Sequence, residues 1–493
     1  MVRLAILLVV LEQRGDPQQT EMSEEMRQLN LAAFDAVWTT IRDTYWEKTP
    51  GGMNWDAIHA EFWPRMRQAE TTQEGRAVMG EMLLRLREQH FAIRPPEVDG
   101  GPESGERPSA VSLGSGLPGF EVHVLDGRAV VTYVLPGSEA ERAGVLPGWE
   151  LASAAGYDVA SLIATLAADP GGAKDPPAAA FQLERSLSAY LSADAGELWR
   201  FEFLAEGGLR EIRYLTLAPL PTATPGNISP LDLWKAPRRI GPGGGIGYIP
   251  VNSGFGMTVV LDQFAQAVRT FANCQGLVLD LRGNVVDLDL IQIPDAPIWR
   301  ENPPGTLYTN DATFVYSINV HSGSGPWGIE LGVGLGIAGW ISSQAGQSLG
   351  TVRTHSETLK LAINPRAEAF VGPVALLIDE TSGPAAQMLA RGLQELRRAR
   401  LFGTRTRGAT PPALSLPLPN GGRFEYAVVR YLTSGGQSLE NGVLPDVEVS
   451  RTRSSILSGH DAALDAAVQW VQAGGKISDR NTGPSIRSRK GKR

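Results

Sequence analysis

The stretch "LLIDETSGPAAQMLARGLQELRRARLFGTRTRGA", residues Leu376–Ala409, decides the fold class of this chain. Its apolar lead-in predicts a buried strand over Val374–Ile378. A helical pattern follows from Ala385 to Arg397, and Arg400–Phe402 predicts a second strand. This order is a βαβ unit of a parallel sheet. The turn has the layout of a nucleophile elbow, but Pro384 stands where a serine would project.

A second βαβ unit is predicted upstream of the elbow. The strand "IGYIPV", Ile246–Val251, is followed by an apolar helical stripe from Leu261 to Phe271 and by "GLVLDLRGN", Gly276–Asn284. The last strand is apolar on both faces, as buried parallel strands are. The glycines of "GPGGGIG" do not fit G-x-G-x-x-G and precede a strand rather than follow one, which argues against a dinucleotide site.

Composition bounds the class of protein. A chain of 493 residues with 42% hydrophobic and 20% charged residues is expected to fold into roughly three domains. A net charge of −8 argues against a general nucleic-acid binder. The one cysteine, Cys274, excludes a disulfide framework within the chain and a cysteine-based metal cluster. No cofactor and no metal site are predicted.

The two ends of the chain carry local signals. The apolar run Leu4–Leu11 is too short for a membrane span, which takes about 20 residues, and no other segment predicts an integral membrane span. Two interpretations stay open: a shortened export signal, which implies a periplasmic or secreted protein, or an incidental apolar start in a cytoplasmic one. The basic stretch Lys476–Arg493 is expected to be a solvated tail.

In the first third of the chain the spacing of apolar residues changes once, from helical to alternating. From about Glu21 to Phe91 apolar residues recur at helical spacing, in two runs separated by Pro50–Gly52. After a Pro/Gly/Glu-rich linker, "FEVHVLDGRAVVTYV" alternates about Asp126-Gly127 and predicts a β-hairpin. A short helix between glycine turns follows in "PGSEAERAGVLPGWEL", Pro136–Leu151.

The hairpin and short helix resemble a PDZ domain of the circularly permuted bacterial type. This module is followed, in order, by "IGYI", "GLVLDLRGN", "LLIDETSGPAAQ", "LFGTRTRG" and "NGVLPDVEV". This order, over about Met26–Val471, resembles the tail-specific (C-terminal processing) serine peptidases. The branch related to the tricorn protease core is the most similar. The fold class expected is a multidomain α/β protein with a βαβ-containing, crotonase/ClpP-like core.

The resemblance implies five segments. They are a leader over 1–20, a helical domain over 21–95, a PDZ-like domain over 110–218, a peptidase core over 235–471 and a basic tail over 472–493. The family cleaves peptide bonds near protein C-termini through a serine and an acyl-enzyme, often in the bacterial envelope. The expected partners are therefore peptide or protein C-termini, with Gly119 and Phe120 presenting backbone amides to them. The oligomeric state is left open.

The catalytic positions depart from the family pattern. "DETSGPAAQ" aligns with the family's "DExSxSxSE", so Ser382 matches the first serine and Pro384 the attacking one. A proline has no deprotonatable atom there, yet it suits the first position of a helix. The lysine used by part of the family is replaced by Ala409.

The resemblance to the tricorn-like style places the other site residues. His90 in "LREQHFAI" stands at the general base, Gln89 at the relay serine and Glu440 at the end of the relay. The oxyanion region of the family, rich in glycine, corresponds to four residues of this chain: Gly283, Asn284, Val285 and Val286. Branched residues disfavour the positive φ that glycine allows, so the oxyanion loop is expected to be altered.

Three functions follow, and the first is favoured. It is a non-catalytic peptide-binding or scaffold protein. The second is an active serine endopeptidase in which Ser382 works with His90 and Glu440. The third is a binder of small apolar ligands, by resemblance to interphotoreceptor retinoid-binding modules.

Overall fold

The computed structural model describes residues 23–86, 91–95, 116–168, 175–219, 236–251, 257–283, 307–310, 313–316, 335–353, 355, 358–408, 413–427 and 430–477. The leader prediction and most of the basic tail lie outside these residues. The chain divides into two compact units. The first takes its residues from 1–104, 353–358 and 411–430, and the second takes the remainder.

The helices are α1 Glu24–Thr44, α2 Trp55–Gln68, α3 Thr72–Leu84, α4 Glu139–Arg142, α5 Val159–Ala168, α6 Pro176–Tyr190, α7 Met257–Thr270, α8 Pro384–Glu395, α9 Arg453–Leu457 and α10 Ala462–Gln472. Residues 335–341 are also helical. Single 3-10 turns occupy Pro50–Gly52, Glu206–Gly208 and Pro242–Gly244.

The strands are β1 Ala92–Arg94, β2 Gly116–Leu117, β3 Phe120–Leu125, β4 Arg128–Val134, β5 Glu150–Ala154, β6 Tyr157–Asp158, β7 Leu198–Leu204, β8 Arg210–Thr216, β9 Ala218–Pro219, β10 Arg238–Ile240, β11 Ile246–Pro250, β12 Gly276–Asp280, β13 Leu307–Asn310, β14 Thr313–Tyr316, β15 Ser348–Arg353, β16 Thr358–Ala362, β17 Val374–Ile378, β18 Arg400–Gly403, β19 Ala413–Pro417, β20 Arg423–Ala427, β21 Arg430–Leu432 and β22 Val447–Glu448.

The first unit contains α1, α2 and α3 and a small sheet in the order β1-β20-β19. Each helix begins at a residue whose side chain accepts a backbone N–H of the first turn: Ser23, Asn54 and Thr71. The sequence pattern predicted two helical runs, and the structure corrects this to three helices. The second break falls at Ala69, where α2 ends, before Thr71 caps α3.

The β-rich region, residues 116–219 of the second unit, is built on an antiparallel sheet. The strand order is β3-β4-β5-β7-β8, so β3 lies at one edge, and α6 packs along it. The predicted hairpin at Asp126-Gly127 is confirmed; both residues have positive φ (51° and 74°), as tight hairpin turns require. Phe120, Phe201 and Phe203 lie in its core.

The remainder of the second unit is organised by a six-stranded sheet in the order β10-β11-β12-β17-β18-β22. The neighbours from β11 to β22 are parallel, and β10 is antiparallel to β11. Every residue of β12 and β17 is buried, which explains the apolar sequence of β17 and that of β12 up to its last residue, Asp280. Both predicted βαβ units are confirmed. The helix of the second one begins at Pro384, one residue before the predicted start, and ends at Glu395.

None of the described helices is both long and apolar enough to cross a bilayer.

Candidate functional site

The turn between β17 and α8 is held in one shape by its own residues. Gly383 is the N-cap residue of α8, with φ −75° and ψ 179°, and Pro384 is the first helical residue. Pro is favoured at this position because its missing N–H has no partner within the helix and its fixed φ is already helical. Proline therefore fits the elbow without disturbing it.

Ser382 is part of the structural core of the turn. The residue is 0% exposed. Its Oγ accepts a hydrogen bond from the Asp379 N–H (3.2 Å) and donates one to the Leu281 carbonyl (3.1 Å). The hydroxyl thus ties the elbow to the end of β12, and both of its polar functions are engaged with backbone.

Asp379 organises the same turn. Its Oδ1 accepts hydrogen bonds from the Thr381 N–H (2.9 Å) and from the Thr381 hydroxyl. Its Oδ2 lies 3.0 Å from the Arg451 guanidinium. Burial opposes the charge of Arg451, but the attraction of Asp379 outweighs it and raises the pKa of Arg451 above its usual value. The elbow is therefore stabilised by an ion pair between the buried Asp379 and the partly exposed Arg451.

Gly283 is the one residue of the predicted oxyanion region that the structure describes. It has φ +69°, a conformation that favours glycine, and its N–H donates to Thr381 Oγ1 at 2.6 Å. Asn284, Val285 and Val286 lie outside the described residues. The N–H of Gly283, the first residue of this region, is therefore satisfied by a side chain of the elbow.

A buried ionic network lies below this turn, at the end of β12. Arg282 contacts Asp280 (2.7 Å) and Asp461 (2.7 Å), and Tyr248 donates to Asp280 at 2.8 Å. Burial would raise the pKa of Asp461, but Arg282 outweighs that effect and holds it well below its usual range. The network fixes the loop that leads from Asp280 to Gly283.

Glu440 lies on a turn whose backbone packs against the segment after β18. Its Oε1 accepts a hydrogen bond from Ser438 Oγ at 2.8 Å. A Cβ built on Gly408 would lie 2.2 Å from the Glu440 carbonyl oxygen, and Arg407 of the same segment donates to the Glu380 carbonyl at 3.1 Å. The segment thus contacts both the elbow and the Glu440 turn. His90 and Gln89 lie outside the described residues, so their roles stay predictions.

Gly119 and Phe120 lie at the start of the edge strand β3. Gly119 has φ +80°, and a Cβ there would lie 2.8 Å from Ser138 Cβ. Its carbonyl accepts the Leu135 N–H at 2.9 Å. The Phe120 ring is 5.3 Å from that of Phe201, so the side chain belongs to the core and only the backbone of Phe120 serves the edge.

Sequence reasoning missed a polar cluster that joins the β-rich region to the elbow. His123 on β3 lies with its Nδ1 3.1 Å from Glu184 Oε2 on α6. Burial opposes charge on this imidazole, but the attraction of Glu184, together with the hydrogen bond that the imidazole donates to Glu121, raises the pKa of His123 to about 10. Burial, then repulsion by Asp379 and Glu184, raises the pKa of Glu380. These residues are far apart in the chain, so no spacing pattern could reveal them.

The comparisons with known proteins agree with this architecture. Residues 245–449 match the model of peptidase family S41, and residues 27–84 match that of the Tricorn protease C1 domain. A putative tricorn protease homolog 2 of Streptomyces coelicolor is 23% identical over 447 residues, covering 89% of this chain and 32% of the homolog. A chloroplastic carboxyl-terminal-processing peptidase 3 of Arabidopsis thaliana is 22% identical over 419 residues, covering 84% of this chain and 67% of the relative.

The match to this chain covers only part of the length of each curated relative. The chain spans from 26% to 67% of the length of those it matches. Among solved structures, mature CPAF superposes with a TM-score of 0.50 at 14% identity, covering 92% of this chain and 99% of CPAF. That similarity concerns the fold and confirms a mixed α/β multidomain architecture. Residues 245–449 therefore carry a domain of peptidase family S41, the tail-specific or C-terminal processing peptidases, and residues 27–84 carry a Tricorn C1 segment.

Proposed function

We propose that this chain is a non-catalytic member of peptidase family S41 that binds peptides, and in particular their C-termini. The observation that carries the proposal is Pro384, the first residue of α8, at the position of the attacking serine in the family pattern. A pyrrolidine ring offers no proton to a general base and no nucleophilic oxygen. An acyl-enzyme therefore has no place to form at this residue.

The environment of Ser382 argues against a replacement nucleophile. To attack a substrate, its hydroxyl would have to leave the Asp379 N–H and the Leu281 carbonyl in the protein interior. Ser382 also precedes position 384 by two residues, which is about 6–7 Å along extended backbone. Misplacement of a reacting group by about 1 Å already costs on the order of 10²-fold in rate.

The state of the oxyanion region points the same way. The Gly283 N–H donates to Thr381 Oγ1 instead of facing a substrate carbonyl. Loss of one oxyanion donor costs about 10²–10³-fold in kcat. The chain thus departs from the catalytic pattern at two separate places. Four consecutive residues of the elbow, 379–382, are polar, so the alternative of a small apolar ligand gains no support from them.

Peptide binding is assigned to the β-rich region, which we interpret as PDZ-like. An extended peptide adds to a sheet edge through main-chain hydrogen bonds, and β3 is an edge strand of this sheet among the described residues. The Val124 N–H on β3 already donates to Glu184 Oε1 at 3.1 Å. Strand pairing is therefore confined to Phe120–Val122 while this contact persists, a length that suits the last few residues of a C-terminus.

A selection experiment tests the binding. Peptides with free C-termini are selected from a library displayed on phage, and each hit is remade with a free or an amidated C-terminus. Fluorescence anisotropy is expected to show binding that weakens at least about 10-fold on amidation, because the carboxylate loses its charge-assisted hydrogen bonds. Failure to select any peptide, or equal binding of the amidated form, would refute the assigned binding mode.

A second experiment tests the absence of catalysis. The full chain is treated with a fluorophosphonate probe, and selected peptides are incubated with it and examined by mass spectrometry. Neither labelling nor cleavage is expected. The Pro384→Ser variant is expected to remain inactive or nearly so, because the Gly283 amide stays bonded to Thr381. Labelling of the wild type that disappears in Ser382→Ala would establish an active peptidase instead.

A further inference from the structure

Three side chains from three distant elements converge beside the elbow. His123 comes from β3, Glu184 from α6, and Glu380 from the turn between β17 and α8. One potential ligand atom of each lies within 4.8 Å of the others. His123 and Glu184 are only 7% and 9% exposed, while Glu380 is partly exposed.

We propose that His123, Glu184 and Glu380 form a binding site for a divalent transition-metal ion, and that Zn²⁺ fits the donor set best. The site uses none of the residues that define the nucleophile, the general base or the oxyanion region, although His123 and Glu184 also border the β3 edge to which peptide binding is assigned.

The donor set selects the ion. Zn²⁺ binds imidazole nitrogen and carboxylate oxygen together at about 2.0–2.2 Å, whereas Mg²⁺ and Ca²⁺ take oxygen ligands. Tetrahedral ligand atoms at such distances are separated by roughly 3.3–3.6 Å. His123 Nδ1 and Glu184 Oε2 are 3.1 Å apart and need almost no adjustment. All ligand atoms of the cluster lie within 4.8 Å of one another, so the longest separation must shorten by about 1 Å to suit a bound ion. Rotation of one carboxylate supplies this change.

The second nitrogen of the imidazole has its own partner. His123 Nε2 lies 3.4 Å from Glu121 Oε1. If Nε2 carries a proton toward Glu121, the lone pair of Nδ1 points at a Glu184 oxygen, and these two electron-rich atoms repel unless a proton or a cation lies between them. A carboxylate on the far side of a metal-bound histidine is the usual arrangement that orients the ring.

The two metal-binding carboxylates are themselves oriented by hydrogen bonds. Glu184 Oε1 accepts the Val124 N–H at 3.1 Å, which leaves Oε2 toward His123. Glu380 Oε2 accepts the Thr404 hydroxyl at 3.1 Å. Such outer contacts reduce the conformational freedom that the ligands lose on binding an ion. A bound ion would also join β3 and α6 of the β-rich region to the elbow of the central sheet.

The local charge favours a dication. Three carboxylates, those of Glu121, Glu184 and Glu380, lie near one imidazole, and the Arg451 cation, itself paired with Asp379, also acts on this cluster. A proton on the ring cancels one of these charges, and a divalent ion cancels two. The ion must displace that proton, so binding releases protons to the buffer.

Isothermal titration calorimetry of Zn²⁺ into the untagged full chain, cleared of metal with a chelator, tests the proposal. One ion per chain is expected, with proton release measured in buffers of different ionisation enthalpy. His123→Gln and Glu380→Gln are each expected to weaken binding by at least about 10-fold. Mg²⁺ at the same concentration is expected to give no binding at this site.

Two control variants separate this site from other Zn²⁺-seeking side chains. His460, an exposed histidine paired with Asp465, and Cys274 lie elsewhere in the chain, so His460→Gln and Cys274→Ser are expected to bind as the wild type does. Circular dichroism and thermal melts in chelator establish that each variant is folded. If His123→Gln does not fold, the isosteric Glu380→Gln decides the question.

Two results would overturn the proposal. Absence of stoichiometric Zn²⁺ binding to the wild type would leave the cluster as a proton-mediated ion pair. Unchanged affinity in folded Glu380→Gln or His123→Gln would place any bound ion elsewhere.

Discussion

Replacing Ser382 by alanine separates a structural hydroxyl from a catalytic one. In the structure the Ser382 Oγ bonds the Asp379 N–H and the Leu281 carbonyl, and the residue is fully buried. If the hydroxyl is structural, its loss leaves both backbone groups without this partner in the interior. If it is a nucleophile, its loss would abolish activity and change stability little.

The magnitude follows from the two orphaned groups. A buried donor or acceptor left unsatisfied costs about 1–3 kcal/mol, so Ser382→Ala, which leaves two such groups, is expected to lower the free energy of unfolding by about 2–6 kcal/mol. In a domain of 150–250 residues each kcal/mol shifts Tm by about 2–4 °C, which predicts a fall of at least about 4 °C.

The assay is thermal unfolding followed by near-ultraviolet circular dichroism, with Ser458→Ala as the matched control. Ser458 Oγ also donates to backbone carbonyls, those of Ser454 and Ser455, but at an exposed helix end where water can replace it. The control is expected to change stability by less than about 0.5 kcal/mol. A Ser382→Ala variant as stable as this control, combined with loss of fluorophosphonate labelling, would refute the structural role.

Three further predictions concern the surrounding framework. Thr381→Val removes the acceptor of the Gly283 N–H and is expected to cost about 1–3 kcal/mol in urea unfolding, without creating peptidase activity. Arg282 lowers the pKa of Asp461, so the ionised Asp461 stabilises the fold above the unfolded-state pKa of about 3.9. This contribution is lost as the pH falls below that value. Asp461→Asn is therefore expected to flatten the acid side of the stability profile, measured by urea unfolding at pH 2–7. Leu393→Ala on the buried face of α8 is expected to cost about 2–5 kcal/mol by creating a cavity, measured by the same method.

The local elements were predictable because their signals are short-range. The uninterrupted apolar run of β17 requires burial on both faces, and the proline at 384 fits only the first turn of the helix that follows. Asp126-Gly127 specified its hairpin for the same reason. The helix break at Ala69 was missed because no proline or glycine marks it, so the helical spacing of apolar residues continues across it.

The chemistry of the elbow needed the tertiary structure. From the sequence Ser382 remained a possible nucleophile, because the sequence does not show whether its hydroxyl faces solvent or the Leu281 carbonyl. The bond from Gly283 to Thr381 joins residues 98 positions apart, and no local pattern encodes it.

What the sequence by itself determined is the parallel sheet, the hairpin and a proline that suits the first turn of the helix at position 384, because period, turn residues and side-chain chemistry act within a few residues. Only the tertiary structure decided that Ser382 is sealed in the core and that His123, Glu184 and Glu380 meet. Those contacts depend on how strands and helices distant in the chain pack together. Such packing brings side chains into contact without producing a regular spacing of residues in the sequence.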